Sequence, residues 1–256
     1  MPSLLDVVIV AGIAGCATGL GALPIFVTEH ISHRIYDSAI GLAAGIMVGA
    51  SIFALILPGL ELGSLWEVGT GIVLGGLFLL GTNTVLPHLH LEYAGQRPEG
   101  RTVDEEEGLR RALLVGISVT IHNVPEGLAV GIAFASGEET VAIALAVAIA
   151  VQNIPDGFAI AVPAVAAGIS RPKTTLYTTL SGGVPEPLAA ALGFGLVLVI
   201  TGLFPAAAGF AAGAMMAVVF LELIPASHGH GYETAATMTF ILGFVLMMII
   251  DITLAV

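Results

Sequence analysis

Two polar hexads interrupt otherwise apolar stretches of the chain, and they align position for position. Each reads as a polar residue, an asparagine, a β-branched residue, a proline, an acid and a glycine, and the second begins thirty residues after the first. Such a match within one apolar chain indicates two related elements that build one site. The hexads are His122-Asn123-Val124-Pro125-Glu126-Gly127 and Gln152-Asn153-Ile154-Pro155-Asp156-Gly157.

The spacing within the hexads brings metal-ligating groups together. His122 and Glu126 are four residues apart, as are Gln152 and Asp156, so each pair lies on one face of a helix. Asn153 stands three residues before Asp156, and the proline of each hexad frees a backbone carbonyl by removing an intrahelical hydrogen bond. Imidazole, carboxylate and amide oxygen together suit a borderline divalent metal: zinc, or else iron, manganese or cadmium.

Further candidate ligands stand outside the hexads. Glu186 lies between two prolines in an apolar run, and Met47 lies between Gly45 and Gly49, where its thioether could act as a soft ligand. Met47 is equally explained as a gap-filler in an apolar core. Candidates for a cytoplasmic exit lie at the ends of apolar stretches: Glu222, His228, His230, His88 and His90.

The composition shows where these groups must act. Of 256 residues, 57% are hydrophobic and only 10% are charged, whereas a soluble domain carries about 25% charged residues. A soluble enzyme and a disordered chain are therefore excluded, and seven scattered basic residues are too few to bind nucleic acid. The sequence predicts an integral membrane protein whose partners are the lipid bilayer and divalent metal ions.

The apolar stretches divide into eight candidate membrane-spanning helices, since about 20 residues cross a bilayer. The longest interruption is an acidic loop at 93–108. With so little chain left over, we expect a single transmembrane domain over 1–256. The predicted spans are 4–27, 38–60, 66–90, 109–135, 139–168, 174–201, 204–226 and 233–256.

The basic residues predict an orientation. Every one of them lies in or beside a connection that follows an odd-numbered span, and the connections after spans 2, 4 and 6 carry none. The positive-inside rule therefore places the odd-numbered connections in the cytoplasm and both termini outside. The basic residues are Arg34, Arg97, Arg101, Arg110, Arg111, Arg171 and Lys173.

The two hexads resemble the paired signature of the ZIP (Zrt/Irt-like) divalent metal transporters, and most of all the bacterial GufA-type branch. The resemblance implies a 3+2+3 arrangement in which spans 4 and 5 form the metal site, uptake across the bacterial inner membrane, and homodimers. It also implies a binuclear metal centre. The ligands implied by motif position are Met47, His122, Asn123, Glu126, Gln152, Asn153, Asp156 and Glu186, with Glu222 near the cytoplasmic exit.

The chain departs from the family pattern at three of these positions. Many relatives have histidine at the position of Gln152, an acid is common at that of Asn153, and Asp156 replaces the more usual glutamate. The central site thus has fewer charges than a full binuclear cluster. We expect one tightly bound metal and a weak second one.

The function predicted from the sequence is uptake of a divalent metal, zinc first, with Cd²⁺, Fe²⁺ or Mn²⁺ as other substrates. The chain contains no G-x-x-x-x-G-K-[ST] motif, so transport is passive or coupled to another ion. A metal-gated channel or sensor is the alternative. A membrane-embedded zinc hydrolase is disfavoured because the chain has no H-E-x-x-H motif and no second histidine beside His122.

Overall fold

The computed structural model describes residues 2–27, 32–85, 105–200 and 202–254. Over these residues the chain forms eight helical rods, here α1 to α8, and no strand. The predicted all-helical fold is therefore confirmed over these residues. The rods are α1 (Leu4–Phe26), α2 (His33–Leu62), α3 (Leu65–Val85), α4 (Glu105–Ala135), α5 (Glu139–Ala166), α6 (Arg171–Val199), α7 (Phe204–Ser227) and α8 (Glu233–Leu254).

Seven of the rods are long and apolar enough to cross a membrane, as judged by length and composition over the described residues. The exception is α4, which contains the fourth predicted span; nothing is described of its side chains at 105–115 and 118. Four rods begin earlier than predicted: α2, α3, α4 and α6. α2 starts at His33 because Ser32 caps its N-terminus through the backbone amide of Ile35, and α6 starts at Arg171, with Pro172 in its first turn.

The rods pack in pairs that repeat across the molecule. α2 packs most extensively on α8 and α3 on α7, while α4 packs on α6 and α5 on α1. If α1 is exchanged with α6, α2 with α7, α3 with α8 and α4 with α5, each of these packed pairs becomes another of the packed pairs. This pairing is the packing pattern expected of two related halves built around the central α4 and α5.

Glycines bring the paired rods into backbone contact. A Cβ atom added at Gly45 of α2 would collide with the carbonyl of Phe240 in α8, and one at Gly213 of α7 would collide with that of Ile72 in α3. Close approach of this kind is how helices associate in lipid, where no hydrophobic effect drives them together. The glycines therefore hold each pair at a short separation.

Four rods depart from regular α-helix, and the sequence analysis did not predict it. α6 is interrupted at Val184, between segments Arg171–Gly183 and Pro185–Val199. α1 continues after Cys16 as a 3₁₀ helix over Ala17–Phe26. α2 and α7 each contain a π-helical turn, at Ser51–Ile56 and Val219–Leu223, and a proline follows each turn closely. The two π turns occupy corresponding rods of the two halves, and such turns are frequent at functional sites.

Candidate metal centre

Both hexads lie inside unbroken α-helices, one in α4 and one in α5. Their polar side chains all face the interior, because each of the six is 3% exposed or less. Glu186, in the first turn of the second segment of α6, is fully buried as well. The structure thus brings the predicted ligands of three rods into the protein core, at positions where polar groups need partners.

The asparagines of the hexads cap interrupted helices in the neighbouring rods. Asn123 donates from Nδ2 to the carbonyl of Ser181 at 2.8 Å, just before α6 breaks at Val184. Asn153 donates to the carbonyl of Ala14 at 2.9 Å, just before α1 changes to 3₁₀ helix. The two contacts correspond across the two halves, and each supplies a partner for a carbonyl at a helix end.

The glycines of the hexads repeat this correspondence. A Cβ atom at Gly127 would collide with the carbonyl of Glu186, and one at Gly157 would collide with the carbonyl of Thr18. Each hexad therefore needs glycine at its last position so that the neighbouring backbone can approach. This approach holds Glu186 beside the first hexad.

The amide side chains also hold two of the carboxylates. Gln152 donates from Nε2 to Oε1 of Glu126 at 2.7 Å, and Asn153 donates from Nδ2 to Oε1 of Glu186 at 2.7 Å. Carboxylates and carbonyls can only accept hydrogen bonds, so the amide nitrogens must face them. The amide oxygens of Gln152 and Asn153 consequently point elsewhere, and so are available as ligands.

His122 and Glu222 meet across the interface between α4 and α7. His122 Nε2 lies 2.7 Å from Glu222 Oε1, and both side chains are buried. Glu222, which the sequence analysis assigned to the cytoplasmic exit, is therefore in direct contact with a predicted ligand. The buried predicted ligands of α4, α5 and α6 are called the central group below: His122, Asn123, Glu126, Gln152, Asn153, Asp156 and Glu186.

Five buried oxygens in this group have no hydrogen-bond partner among the described residues. Two are carboxylate oxygens and three are amide oxygens, and all belong to predicted ligands. An unpaired buried acceptor is costly, so each such oxygen requires an explanation. The five are Glu126 Oε2, Glu186 Oε2, Asn123 Oδ1, Gln152 Oε1 and Asn153 Oδ1.

The carboxylates of the group also lack a lysine or arginine partner. Among the described residues, neither type of side chain forms an ion pair with Glu126, Asp156 or Glu186. Buried charges normally require a partner of opposite sign. A divalent cation would supply that charge and would also satisfy the unpaired oxygens.

In the described ranges, no three His, Cys, Asp or Glu side chains already stand in metal-binding geometry. The donor set consequently depends on the amides, and its carboxylates must shift to share a metal. Met47 is buried in the hydrophobic core, and its carbonyl accepts a hydrogen bond from Ser51. Both roles considered for Met47 are compatible with this position.

The predicted exit residues lie beside a group that the sequence analysis missed. His230 Nδ1 lies 2.7 Å from Oδ1 of Asp37, a fully buried residue near the start of α2. Tyr36 packs edge-on against His230 and tilted against Phe158. The sequence signal for Asp37 was an acid at the start of an apolar span.

His228, another predicted exit residue, contacts the end of its own helix. Its Nδ1 lies within hydrogen-bond distance of Ser227 Oγ and the Ile224 carbonyl. His88 and His90 lie outside the described residues.

Comparisons with known proteins show the family to which the chain belongs. A family model described as ZIP Zinc transporter matches residues 81–251. Zinc transporter GufA of Myxococcus xanthus is 36% identical over an alignment of 251 residues, which covers 94% of this chain and 96% of GufA. This chain belongs to the ZIP family. The resemblance read from the hexads is thereby confirmed.

Other ZIP relatives match over a similar length. Zinc transporter ZIPB of Bordetella bronchiseptica is 39% identical over 256 residues, covering 96% of this chain and 81% of ZIPB. Zinc transporter ZIP11 of Homo sapiens is 32% identical over 321 residues, covering 93% and 94% of the two chains. Together with the apolar rods, ZIP membership makes this chain a multi-pass membrane transporter of divalent metal and not an enzyme, so the hydrolase alternative is set aside.

Proposed function

We propose that this ZIP protein takes up zinc across the bacterial inner membrane through a metal site inside the bilayer, built by α4, α5 and α6. Cd²⁺, Fe²⁺ and Mn²⁺ are further substrates compatible with the nitrogen and oxygen donors. The ligands we assign are His122, Asn123, Glu126, Gln152, Asn153, Asp156 and Glu186. Glu222 joins them through its contact with His122, and Met47 remains an additional candidate.

The observation that carries this proposal is the set of five unpaired buried oxygens on the predicted ligands. A purely structural polar cluster would pair its acceptors with donors, as buried groups normally do. Here the amide nitrogens are paired and the oxygens are left over. Unpaired acceptors beside carboxylates that have no lysine or arginine partner among the described residues are the arrangement that a cation would satisfy.

We further propose eight membrane spans with both termini outside. The contact between Asp37 and His230 joins the start of α2 to the loop after α7, so these two connections lie on one side of the molecule. The 3₁₀ segment of α1 likewise packs on the first segment of α6, which joins the connections after α1 and α5. Both pairs agree with the odd-numbered connections that the positive-inside rule assigns to the cytoplasm.

In this proposal, zinc exchanges part of its hydration shell for the oxygens of the central group and leaves toward the cytoplasm. Movement toward a negative interior contributes about 2.3 kcal/mol per charge per 100 mV. Glu222, held against His122, precedes the predicted exit residues His228 and His230 along the chain. The interrupted rods α1 and α6 resemble the discontinuous helices that form substrate sites in other transporters.

Zinc flux into proteoliposomes tests the proposal, with protein orientation checked. We expect saturable flux in the unaltered protein, and a loss of about tenfold or more in His122→Ala and Glu126→Ala, since each removes a ligand. Glu139→Ala is the matched control, because this exposed acid opens α5 outside the central group. Unchanged flux in both ligand variants would refute the proposed site. Flux that rises linearly with zinc without saturating would favour the channel alternative.

A further inference from the structure

A second group of polar and aromatic side chains lies where the start of α2 meets the loop after α7. Its members are His33, Tyr36 and Asp37 from α2 and His230 from the loop. None of them belongs to the central group. The sequence analysis named only His230, as an exit residue, and the proposed transport gives the other three no role.

The ring of His230 is held in one orientation from three sides. Its Nδ1 lies 2.7 Å from Oδ1 of the fully buried Asp37. Tyr36 packs edge-on against it with ring centroids 5.7 Å apart. His33 stacks on its face, with centroids 4.1 Å apart and planes 18° from parallel. The ring is therefore positioned before any ligand arrives.

Asp37 determines which nitrogen of His230 is available. A carboxylate only accepts hydrogen bonds, so Nδ1 of the neutral ring carries the hydrogen and Nε2 carries the lone pair. Nε2 has no hydrogen-bond partner among the described residues. A histidine that ligates a metal almost always donates its other ring N–H to a carboxylate, a carbonyl or water. His230 is thus arranged as a metal ligand supported by Asp37.

His33 supplies a second imidazole beside the first. It lies four residues before Asp37, on the same face of α2, and it is exposed. Two imidazole nitrogens on one tetrahedral zinc stand about 3.4 Å apart, which is close to the spacing of the stacked rings. Because the lone pairs lie in the ring planes, one ring must turn to share a metal, and the exposed His33 is free to do so.

The buried charge at this place favours a cation. Oδ2 of Asp37 has no hydrogen-bond partner among the described residues. Arg34 stands in the same first turn of α2, yet it forms no ion pair with Asp37. A buried carboxylate normally has a partner of opposite sign. A metal ion on His230 would bring to Asp37 the positive charge that Arg34 does not supply.

We propose that His33 and His230 bind one zinc ion, with water completing the coordination and Asp37 holding His230 in its ligating tautomer. Imidazole nitrogens favour zinc and similar borderline metals over magnesium and calcium. The location of this site on the cytoplasmic side rests on the proposed orientation, whereas its ligand set does not. With only two protein ligands, the site fills at higher zinc concentration than the central group and is not one of the tightly bound ions.

Calorimetric titration of zinc into the purified full-length protein, in detergent and without a histidine tag, tests the proposal. The titrated protein is a background variant in which other candidate ligands are removed. We expect it to bind one zinc ion per chain. The substitutions of the background variant are His88→Ala, His90→Ala, His122→Ala and Glu126→Ala.

Three further substitutions in this background locate the zinc ion. His33→Ala and His230→Ala should each abolish its binding, because each removes one of the two ligands. Asp37→Asn keeps an acceptor for His230 but loses the charge, so it should weaken binding about 10–100-fold, as expected when a residue that orients a ligand is changed.

His228→Ala is the matched control for these variants. It removes an imidazole two residues from His230, and that imidazole contacts the end of its own helix. We expect the zinc ion to be retained. Zinc should also raise the thermal midpoint of the background variant and leave that of the variant with His230→Ala unchanged. Since His33 is exposed, its substitution leaves the fold intact and separates ligand loss from unfolding.

Three outcomes would overturn the proposal. The background variant would bind no zinc, or it would keep its zinc after both His33→Ala and His230→Ala. In the third, His228→Ala would abolish binding as fully as His230→Ala, which would assign the metal to exposed loop histidines without any part for Asp37. Failure of the proposed transport would appear separately, as unchanged flux in His122→Ala and Glu126→Ala.

Discussion

At the scale of single residues, the hexad asparagines fix the geometry of the candidate metal centre. Each amide nitrogen is held by a carbonyl at an interrupted helix end, so each amide oxygen has a set direction before any metal arrives. Asn153 additionally occupies one oxygen of Glu186, and Gln152 occupies one oxygen of Glu126. The amides therefore both preorganise the donor set and reduce the number of free carboxylate oxygens.

This arrangement predicts one tightly bound zinc per chain, with a weak second one. Asn153→Asp should raise the number of tightly bound zinc ions to two, because it frees the second Glu186 oxygen and adds a carboxylate. Equilibrium dialysis with metal analysis gives the count. Asn153→Leu removes the same donor and an assigned ligand without adding a carboxylate, so it should weaken binding and leave the count no higher than one. Two zinc ions per unaltered chain at micromolar zinc would contradict the prediction.

The contact between His122 and Glu222 predicts that the two residues act together. Because they touch, the effects of His122→Ala and Glu222→Ala on zinc affinity should be non-additive, with a coupling energy of about 0.5–3 kcal/mol. Titration of zinc into the wild type, both single variants and the double variant measures it. If the two losses simply add, Glu222 acts at a separate place along the path.

The sequence predicted which side chains are buried together but not how they contact one another. The repeated hexads predicted the ligand types of α4 and α5, and the prolines around Glu186 predicted that α6 contributes a ligand. The contact between His122 and Glu222, however, joins residues a hundred positions apart, and periodicity within one helix carries no information about such a contact. The carbonyls of Ala14 and Ser181 carry no side-chain signal at all. Asp37 was overlooked because a single acid at a span start is common.

At the scale of helices, glycine decides which rods can approach the hexads. Gly127 and Gly157 allow the backbones of α6 and α1 to reach α4 and α5, and the asparagine contacts depend on that approach. The sequence indicated tight packing through small residues without naming the partner rods. It also did not predict the 3₁₀ and π segments. Prolines lie in or just after these segments, but a proline in an apolar span does not specify which kind of helix forms around it.

Gly157→Ala tests this packing. The added Cβ atom would collide with the Thr18 carbonyl, so backbone must shift, and overpacking of this kind costs about 1–3 kcal/mol. We expect a lower thermal midpoint in detergent and weaker zinc binding. Gly76→Ala in α3 is the matched control, since its Cβ atom would lie 3.8 Å from the nearest carbonyl oxygen. Equal midpoints for the two variants would show that α1 and α5 are not closely packed there.

At the scale of the whole molecule, the pairing of the rods gives the chain two related halves around α4 and α5. Each half contributes one rod with a π turn, α2 or α7, and one interrupted rod, α1 or α6, beside a hexad. If the two halves are inverted repeats, corresponding rods must cross the membrane in opposite directions. With three spans in each outer group and two spans between the groups, corresponding rods such as α1 and α6 are five positions apart, so they run in opposite directions when every rod crosses.

That condition makes the orientation testable with single cysteines in a Cys16→Ser background, which removes the one native thiol. Ser64→Cys and Ser136→Cys lie in the connections after α2 and α4, so a membrane-impermeant thiol reagent should label both in intact cells. Ser32→Cys and Ser170→Cys lie before α2 and α6 and should react only after permeabilisation, because the positive-inside rule places them in the cytoplasm. Labelling of Ser136→Cys and Ser170→Cys from the same side would mean that α5 does not cross the membrane. The two halves could then not be inverted about the metal centre.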